Sequence, residues 1–355
     1  MPAKYQILAR LLREDIAIHC NTANYRLPTE QALTEKYHVS RQTVRHALQL
    51  LCEEGLIQKR QGSGAYATGL HAASSMEIAV IATFMDDYIF PAVLRDIETV
   101  LEQKGYHIRV YITRNRIAEE RRILQALAEK PCAGILAEGS KTALPNPNTD
   151  LYRKLRDMHI PIVFFQGSYA ELPDIPAVMD DNYGGGVQLA NHLIGQGHTR
   201  IGGIFKSDDI QGIQRYSGVM SALRDAGLPL PDQEICWFDT QQHSALVEQR
   251  HRQMLTAFLS ERLRNVSAII CYNDEIAYHL IQVLLSQGKK VPEDYAVVSF
   301  DNSYYSQICP VPITSVCHRQ NRMGREAALL LLRLLQGSTC RSTSLAWELM
   351  VRASG

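Results

Sequence analysis

The feature that most constrains the fold is an alternation of short apolar runs with amphipathic segments, which begins at residue 77 and continues to residue 300. Short apolar runs are typical of strands buried on both faces, and the segments between them are typical of helices. Repeated strand–helix units predict parallel sheets with helices on both faces, and about ten units are too many for one sheet. We therefore expect two α/β lobes. The predicted strands are 77–84, 107–113, 133–138, 160–166, 200–206, 234–238, 267–272 and 295–300, and the predicted helices are 91–104, 118–129, 183–194, 212–226, 244–260 and 274–286.

The ends of these predicted strands carry polar and aromatic side chains. Ligands of parallel α/β sheets bind beyond the carboxyl ends of the strands, and two lobes place those ends on both sides of a cleft. Carboxylates, amides and guanidinium groups pair with sugar hydroxyls, while aromatic rings cover the C–H face of a sugar. The sequence therefore predicts a cleft for a small neutral sugar. The residues concerned are Asp86, Asp87, Tyr88 and Phe90 after the first strand, Gln166 after the fourth, Arg215 in the helix after Lys206, Asn273 and Asp274, and Asp301 and Asn302.

The first 69 residues carry a different pattern, in which three helical segments precede two short strands. Ser and Thr side chains accept hydrogen bonds from the first amides of a helix, so they mark helix starts. The predicted elements are a helix containing the apolar stripe Tyr5, Leu8, Leu11, Leu12 and Ile16, a helix after the cap Thr29 that buries Ala32, Leu33 and Tyr37, a helix from Arg41 to about Glu54 after the cap Ser40, and strands 56–60 and 65–67 around the turn 61–64.

The third of these helices has one face suited to DNA. The first turns of a recognition helix reach base edges in the major groove, where Arg pairs with guanine and Gln with adenine. The head is also basic, with nine Lys and Arg against six Asp and Glu, while the rest of the chain carries 28 and 31. For an isolated basic helix, a solvated surface face would be the simpler interpretation. Helical geometry puts Val44, Ala47, Leu48 and Leu51 on one side, and Arg41, Gln42, Arg45, His46 and Gln49 on the other.

These segments resemble the GntR family of bacterial repressors in four motifs that occur in the correct order. The resemblance implies a winged helix-turn-helix that uses Arg41 and Arg45 on the DNA and places the wing glycine Gly62 near the minor groove. Lys4 and His46 have two open interpretations, a phosphate contact and a plain surface position. The motifs are LPTE at 27–30, VSRQTVRHAL at 39–48, EGLI at 54–57 and QGSG at 61–64, and the expected DNA-facing residues are Lys4, Ser40, Arg41, Gln42, Thr43, Arg45, His46 and Gly62.

The remainder of the chain resembles the LacI/GalR sugar-sensing domain. The resemblance implies a periplasmic-binding-protein-like fold with a ligand between its lobes, and ligand contacts at Arg215, Asn273 and Asp301. It makes His243 and His318 further candidates, and Gln166 departs from the charged residue that many members have there. The motifs are DNYGG at 181–185, NHLIGQGHTRIG at 191–202, RYSG at 215–218, YND at 272–274 followed by Ala277, VPED at 291–294 and SFDN at 299–302.

Eight residues form the expected effector site. We expect three of them on the second lobe, namely Arg215, Asn273 and Asp301, and four on the first lobe, namely Asp87, Tyr88, Gln166 and His318, with His243 as the eighth. Arg215 has an alternative interpretation, as the partner in a structural salt bridge. A GntR-type head without the LacI-type head and hinge helix resembles the arabinose repressors of low-GC Gram-positive bacteria, which suggests L-arabinose or a related pentose as effector.

The segment 68–75 is small, polar and without periodicity, which is typical of a linker. We expect a DNA-binding head at 1–69, a linker at 70–76 and a two-lobed effector-binding domain at 77–355. The sequence has neither a stretch of roughly 18 apolar residues nor the apolar core of a signal peptide, so we expect a cytoplasmic protein. Its eight cysteines form no C-x-x-C pair, and we expect them reduced, with no metal site and no cofactor.

These observations favour a transcriptional repressor of sugar-utilisation genes over an enzyme. The glycine-rich run 183–186 fits neither the dinucleotide-binding nor the P-loop fingerprint, and no nucleophile elbow or H-E-x-x-H motif occurs. We expect a homodimer on a pseudo-palindromic DNA operator, because both resembled families bind DNA with two-fold symmetry, and we expect a sugar to release it. A sugar-responsive activator remains an alternative, and an α/β enzyme is a remote one.

Overall fold

The structure is a computed structural model that describes residues 4–18, 25–53, 56–60, 64–67, 76–85, 89–247, 252–318 and 322–355. Gly62, Asp87 and Tyr88 lie outside the described residues, and so does most of the expected linker, so their predicted roles stay predictions. Within the described ranges, no helix is both long enough and apolar enough to span a bilayer.

The N-terminal head is a winged helix-turn-helix. Both predicted N-caps are present, because Thr29 Oγ1 accepts from the amide of Ala32 at 3.2 Å and Ser40 Oγ accepts from the amide of Thr43 at 3.2 Å. Leu33 is buried as predicted, whereas Ala32 is exposed on the outer side of its helix. The elements are α1 (Lys4–Ile18), α2 (Glu30–Tyr37), α3 (Arg41–Glu53) and the antiparallel strands β1 (Ile57–Arg60) and β2 (Gly64–Ala67).

A single apolar core holds these elements together. Leu8 and Leu12 of α1, Leu33 of α2, and Val44 and Leu48 of α3 belong to it, and all are buried. The chain just before α2 also pairs with the hairpin, since the amide of residue 27 donates to the carbonyl of residue 65 at 2.9 Å. Because the core holds one side of α3, its polar side must face outward.

The chain then forms the first lobe, which has one parallel sheet. Its strand order, from edge to edge, is β13-β7-β6-β5-β3-β4, in which the edge strand β13 (Thr343–Leu345) comes from near the end of the chain. The elements formed before the chain leaves this lobe are β3 (Glu77–Ala82), α4 (Phe90–Glu102), β4 (His107–Ile112), α5 (Ile117–Glu129), β5 (Gly134–Ala137), α6 (Thr149–Asp157), β6 (Ile162–Phe165) and β7 (Ala177–Asp180).

The second lobe has a sheet of order β14-β12-β11-β10-β8-β9, in which only β14 is antiparallel to its neighbour. Of the predicted helix 244–260, the structure describes helical residues up to Val247 and again at Arg252–Ala257. Its predicted end is wrong, because a π-helical turn occupies Phe258–Arg262. The elements are α7 (Asn182–Gly195), β8 (Ile201–Lys206), α8 (Ile210–Asp225), β9 (Ile235–Phe238), α9 (Thr240–Val247), α10 (Arg252–Ala257), β10 (Ala268–Cys271), α11 (Asp274–Ser286), β11 (Ala296–Phe300), α12 (Tyr304–Ile308) and β12 (Thr314–Cys317).

The chain finally returns to the first lobe and crosses back. Helix α13 (Arg322–Leu335) packs against α4, and strand β13 (Thr343–Leu345) pairs with β7 of the first sheet. Strand β14 (Glu348–Met350) then pairs with β12 of the second sheet. The lobes are therefore joined at three places, after β7, after β12 and between β13 and β14. This arrangement confirms the predicted two-lobed α/β domain.

Each sheet has an apolar core on both of its faces. In β3, Val80 packs into one core of the first lobe and Ile81 into the other. In β10, Ile269 and Ile270 divide between the two cores of the second lobe in the same way. A strand buried on both faces has no place for polar residues except at its ends. The polar side chains therefore collect at the strand ends, where a ligand site can form.

Candidate functional site

The outward face of α3 carries exposed Arg41, Gln42, Arg45 and His46. At its N-terminus, the hydroxyls of Ser40 and Thr43 lie 2.9 Å apart, as part of the helix cap. The rings of Tyr5 and His46 are 5.8 Å apart, which places the start of α1, with exposed Lys4, beside this face. The structure thus brings together the predicted DNA-facing residues that it describes. Their contact with DNA stays a prediction.

Arg45 has a partner that sequence reasoning missed. Its Nε donates to Glu30 Oε2 at 2.9 Å, although 68% of the arginine side chain is exposed. The carboxylate comes from the start of α2, so the pair links the two helices of the helix-turn-helix. Because Glu30 accepts from Nε, the pair orients the guanidinium while its Nη groups can still reach a base.

The base of the wing carries two further arginines that sequence reasoning did not single out together. The guanidinium of Arg60 lies 4.6 Å from the ring centroid of Tyr66, and that of Arg26 lies 5.9 Å from it. Arg26 also forms an isolated β-bridge with Tyr66. Two cations beside one ring at the wing add positive charge next to α3, where a phosphate backbone would pass.

A cavity that is open to solvent lies between the two lobes. It brings together five of the predicted effector residues, Gln166 from the first lobe and Arg215, His243, Asn273 and Asp301 from the second. A neighbouring cavity is lined by His318 and shares Gln166 and Asp301 with the first. The structure therefore places the described members of the predicted set around one interlobe space, and their contact with a ligand stays a prediction.

Arg215 is both a cavity residue and a structural salt-bridge partner. Its side chain is almost fully buried, and it donates to Asn182 at 2.9 Å, to Asp301 at 3.3 Å and to the backbone carbonyl of Tyr272. The guanidinium also lies 4.3 Å from the ring centroid of Phe300. Each of these contacts fixes the guanidinium plane, so a ligand would meet a donor that is already oriented.

The wall of the cavity contains a buried charge pair that sequence reasoning missed. Lys206 ends β8 and is 7% exposed, and its Nζ lies 2.6 Å from Asp209 Oδ2. Burial alone would lower the pKa of Lys206, but the nearby carboxylates of Asp209 and Asp208 outweigh it and raise that pKa above its usual value. Lys206 is therefore a charged donor at the cavity wall. The signal that could have found it is a lysine ending an otherwise apolar run.

The first lobe contributes an acceptor that was also missed. Glu138 follows β5 and accepts from both the amide and the hydroxyl of Thr83 at 2.8 Å, and both residues line the cavity. Gln166 follows β6 with φ of 60°, and its carbonyl accepts from Gln211 Nε2 of the second lobe at 3.2 Å. Residues from both lobes therefore meet at the cavity through side chains and backbone.

Two neighbouring residues at the start of α11 have different tasks. Asn273 lines the cavity and caps the helix, since its Oδ1 accepts from the amide of Ile276 at 3.0 Å. Asp274 is fully buried behind it and accepts from the hydroxyls of Ser299, Ser303 and Ser315. Burial, followed by the nearby carboxylate of Asp301, raises the pKa of Asp274 to about 7. Asp274 thus ties together the loops that carry Asn273 and Asp301.

The two histidines each pair with a carboxylate. His243 Nε2 lies 3.1 Å from Glu275, and His318 Nε2 lies 2.9 Å from Asp180. The expected position of His318 on the first lobe is wrong, because it follows β12 of the second lobe. It stands where the chain leaves that lobe, and its ring stacks on that of Trp347 at 3.9 Å. It reaches the first lobe through Asp180, at the end of β7.

Both parts of the chain match known protein families. Residues 4–66 match the bacterial regulatory proteins of the gntR family, and residues 190–354 match the periplasmic-binding-protein-like domain. In a solved complex of the transcriptional regulator CelR with cellobiose, the protein is 25% identical, with a TM-score of 0.69, over 89% of this chain and 92% of that one.

Two curated relatives cover nearly the whole chain. The arabinose metabolism transcriptional repressor of Halalkalibacterium halodurans is 33% identical over 95% of this chain and 90% of its own length. The protein of the same name from Geobacillus stearothermophilus is 33% identical over 88% of this chain and 85% of its own. The chain therefore belongs to the family of the arabinose metabolism transcriptional repressors, regulators that join a gntR-type DNA-binding head to a periplasmic-binding-protein-like body.

Proposed function

We propose that this protein represses sugar-utilisation genes and that a small sugar, L-arabinose or a related pentose, releases it from its operator. The observation that carries the proposal is the interlobe cavity, whose polar groups come from both lobes of a body attached to a DNA-binding head. The site of action would be the cytoplasm, where the operator lies. A sugar-responsive activator differs from this proposal only in the sign of the response.

The lining of the cavity supports a polyhydroxylated ligand. Lys206, Arg215 and Asn273 offer donors, while Glu138 and Asp301 offer carboxylate acceptors. A sugar hydroxyl both donates and accepts, so it can bridge such groups without leaving either one unsatisfied. The rings of Phe84 and Tyr272 line the same space and provide apolar surface for C–H groups. The names of the two curated relatives support a pentose in particular.

The division of these groups between the lobes supports a mechanism for release. A ligand that contacts Glu138 and Gln166 on the first lobe, and Arg215 and Asp301 on the second, favours the form in which the lobes are together. If that form misplaces the heads, the sugar weakens operator binding. By linkage, the operator then weakens sugar binding by the same factor.

Two heads would act on one operator. An α3 helix reads one half-site in the major groove. Two copies related by a two-fold axis read a pseudo-palindrome whose half-site centres are one helical turn, or a multiple of it, apart. Arg41, Arg45 and the arginines beside Tyr66 would supply the phosphate and base contacts of each half-site. We therefore propose a homodimer as the DNA-binding unit.

The test combines sugar binding with operator release. Calorimetric titration of the full chain with L-arabinose, D-xylose, D-ribose and D-glucose identifies the ligand, and operator titrations with and without that ligand give the sign. We expect one pentose to bind and to lower operator affinity. Binding of none of these sugars would contradict the effector class, and tighter operator binding with sugar would establish the opposite regulation.

A further inference from the structure

The strongest feature that the proposed function leaves unused is Asn115, in the loop between β4 and α5 of the first lobe. It is 1% exposed and has φ of 53°, a left-handed conformation that asparagine tolerates better than most residues. Its Oδ1 accepts from the amide of Lys141 in its own lobe at 2.6 Å. Its Nδ2 donates across to the second lobe, to Thr240 Oγ1 at 2.6 Å and to Asp209 Oδ1 at 3.3 Å.

Asp209 connects this amide to the cavity. Its other oxygen, Oδ2, accepts from Lys206 Nζ at 2.6 Å and from the hydroxyl of Tyr272 at 3.2 Å. Lys206, Asp209, Thr240 and Tyr272 all line the interlobe cavity, whereas Asn115 is not among its lining residues. Oδ2 of Asp209 therefore bonds to two residues that line the cavity, and Oδ1 accepts from Asn115 of the opposite lobe.

The bond from Asn115 exists only while the lobes are together, because its donor and its acceptor belong to different lobes. Other polar contacts also join the two lobes. The amide of Ile210 donates to Thr142 Oγ1 at 3.0 Å, and Lys141 Nζ lies 3.8 Å from Asp208. Ile210, Thr142, Lys141 and Asp208 do not line the cavity. Asn115 differs from these residues because its partners Asp209 and Thr240 do line the cavity.

We propose that Asn115 is a positioning residue for effector binding, which holds Asp209 from the opposite lobe so that the Lys206–Asp209 pair has its ligand-binding arrangement only when the lobes close. The inference rests on the proposed function, since it concerns the same cavity. A carboxylate restrained at both oxygens presents one fixed orientation, and it keeps the ammonium of Lys206 in place. Without Asn115, Asp209 keeps only the bonds within its own lobe.

The first experiment measures sugar affinity by calorimetry on the full chain, using the pentose that binds wild type. We expect Asn115→Ala to weaken sugar binding about tenfold, which corresponds to one hydrogen bond to a charged group. Thr142→Val is the matched control, because it removes an interlobe bond whose donor, the Ile210 amide, does not line the cavity. We expect less than a threefold change for it. Operator affinity without sugar should not fall below that of wild type in either variant, which shows that they are folded.

The second experiment separates positioning from a merely structural role. In an Asp209→Ala background, Asn115→Ala should cost less sugar affinity than it does in wild type, because the group it positions is gone and only its bond to Thr240 remains. A merely structural role would cost the same factor in both backgrounds. The inference would be overturned if the losses in sugar-binding free energy of Asn115→Ala and Asp209→Ala simply added in the double variant. It would also be overturned if Asn115→Ala and Thr142→Val lost the same sugar affinity. A wild type that binds no sugar of the panel would instead overturn the proposed function, together with the inference that rests on it.

Discussion

Arg215 and Asp301 form an ion pair of 3.3 Å in which 2% and 7% of the two side chains are exposed. Asp301 is therefore not a free carboxylate at the edge of a cleft. It neutralises a buried guanidinium and lines the cavity at the same time. The pair is also joined to the lobe connections, since Arg215 donates to Asn182, directly after the first connection. For a substitution at either position, ligand binding and the free energy of unfolding must therefore be measured separately.

For Asp301, we expect asparagine to weaken the effector response and to cost less stability than Arg215→Ala, because the amide still gives the buried guanidinium an acceptor. The amide retains an oxygen that can accept from Arg215. It has no negative charge, so its hydrogen bonds to a sugar hydroxyl and to the guanidinium are weaker than those of the carboxylate. We expect sugar affinity to fall about tenfold or more, with operator binding unchanged in the absence of sugar. Operator titrations across a sugar series measure this. Release of Asp301→Asn at the wild-type sugar concentration would show that the carboxylate does not contact the effector.

For Arg215, we expect alanine to damage the fold itself. Removing one partner of a buried pair leaves the other charge uncompensated, which costs about 3–5 kcal/mol of unfolding free energy. Chemical denaturation of the full chain measures the loss. Arg224→Ala is the control, because Arg224 lies on the same helix, is exposed and pairs only with its neighbour Asp225 and Ser221 in the described contacts. Equal denaturation midpoints for Arg215→Ala and wild type would contradict a structural role.

In the head, we expect Arg41→Ala and Arg45→Ala each to cost about 1–3 kcal/mol of operator affinity. Arg45→Lys should lose most of the same affinity, because lysine keeps the charge but not the fork that Glu30 orients. Glu30→Gln should cost less than Arg45→Ala, since it removes only the orienting carboxylate. Fluorescence anisotropy with labelled operator measures all four variants. Sugar affinity should stay at the wild-type value, and wild-type operator affinity in Arg45→Ala would refute the assignment.

The two lobes could be predicted from the sequence because their central strands are buried on both faces and so appear as apolar runs. The strands that were missed are short, whereas the missed helices α6 and α13 have nine and 14 residues. Strands β12, β13 and β14 have four, three and three residues, and β13 is a strand only because it pairs with β7, more than 150 residues earlier. Such pairing leaves no periodicity in the local sequence.

The candidate site could be predicted only where a residue follows a recognisable strand. Asn273, Asp301 and Gln166 do so, and Lys206 ends a strand whose other residues are apolar. The position of His318 was predicted wrongly because β12 was not recognised, so nothing fixed the lobe from which it projects. The contacts of Asn115 with Asp209 and of Arg45 with Glu30 join separate elements. Tertiary packing alone decides such contacts.

For assembly, we expect two chains on each operator. A two-fold dimer mirrors a pseudo-palindrome, and each half-site needs its own α3. Sedimentation of the protein with a single operator duplex, or native mass spectrometry of the complex, gives the stoichiometry. A half-site duplex should bind far more weakly than the full operator, because it engages one head of the two. A complex of one chain per full operator would exclude the dimer as the binding unit.

For pH, we expect Asp274 to make the protein more stable as the pH falls from 7 toward 4. Its folded pKa is raised to about 7 from the usual value of 3.8, first by burial and then by the charge of Asp301. Between these two values the folded chain binds a proton that the unfolded chain has released. Its contribution to stability therefore falls as the pH rises through this window and is constant above it. The slope is at most about 1.4 kcal/mol per pH unit.

Urea denaturation at pH 5, 6, 7 and 8 measures this slope in wild type and in Asp274→Asn. Asparagine cannot titrate, so the difference in unfolding free energy between the two proteins should change by the amount that Asp274 contributes. Asparagine keeps one oxygen acceptor but loses the second, which the amide of Ser303 uses, so its absolute stability should be lower throughout. Only the change with pH tests the buried charge, because other titrating groups are common to both proteins. A difference that stays constant from pH 5 to pH 8 would mean that the folded pKa of Asp274 is not raised into this range.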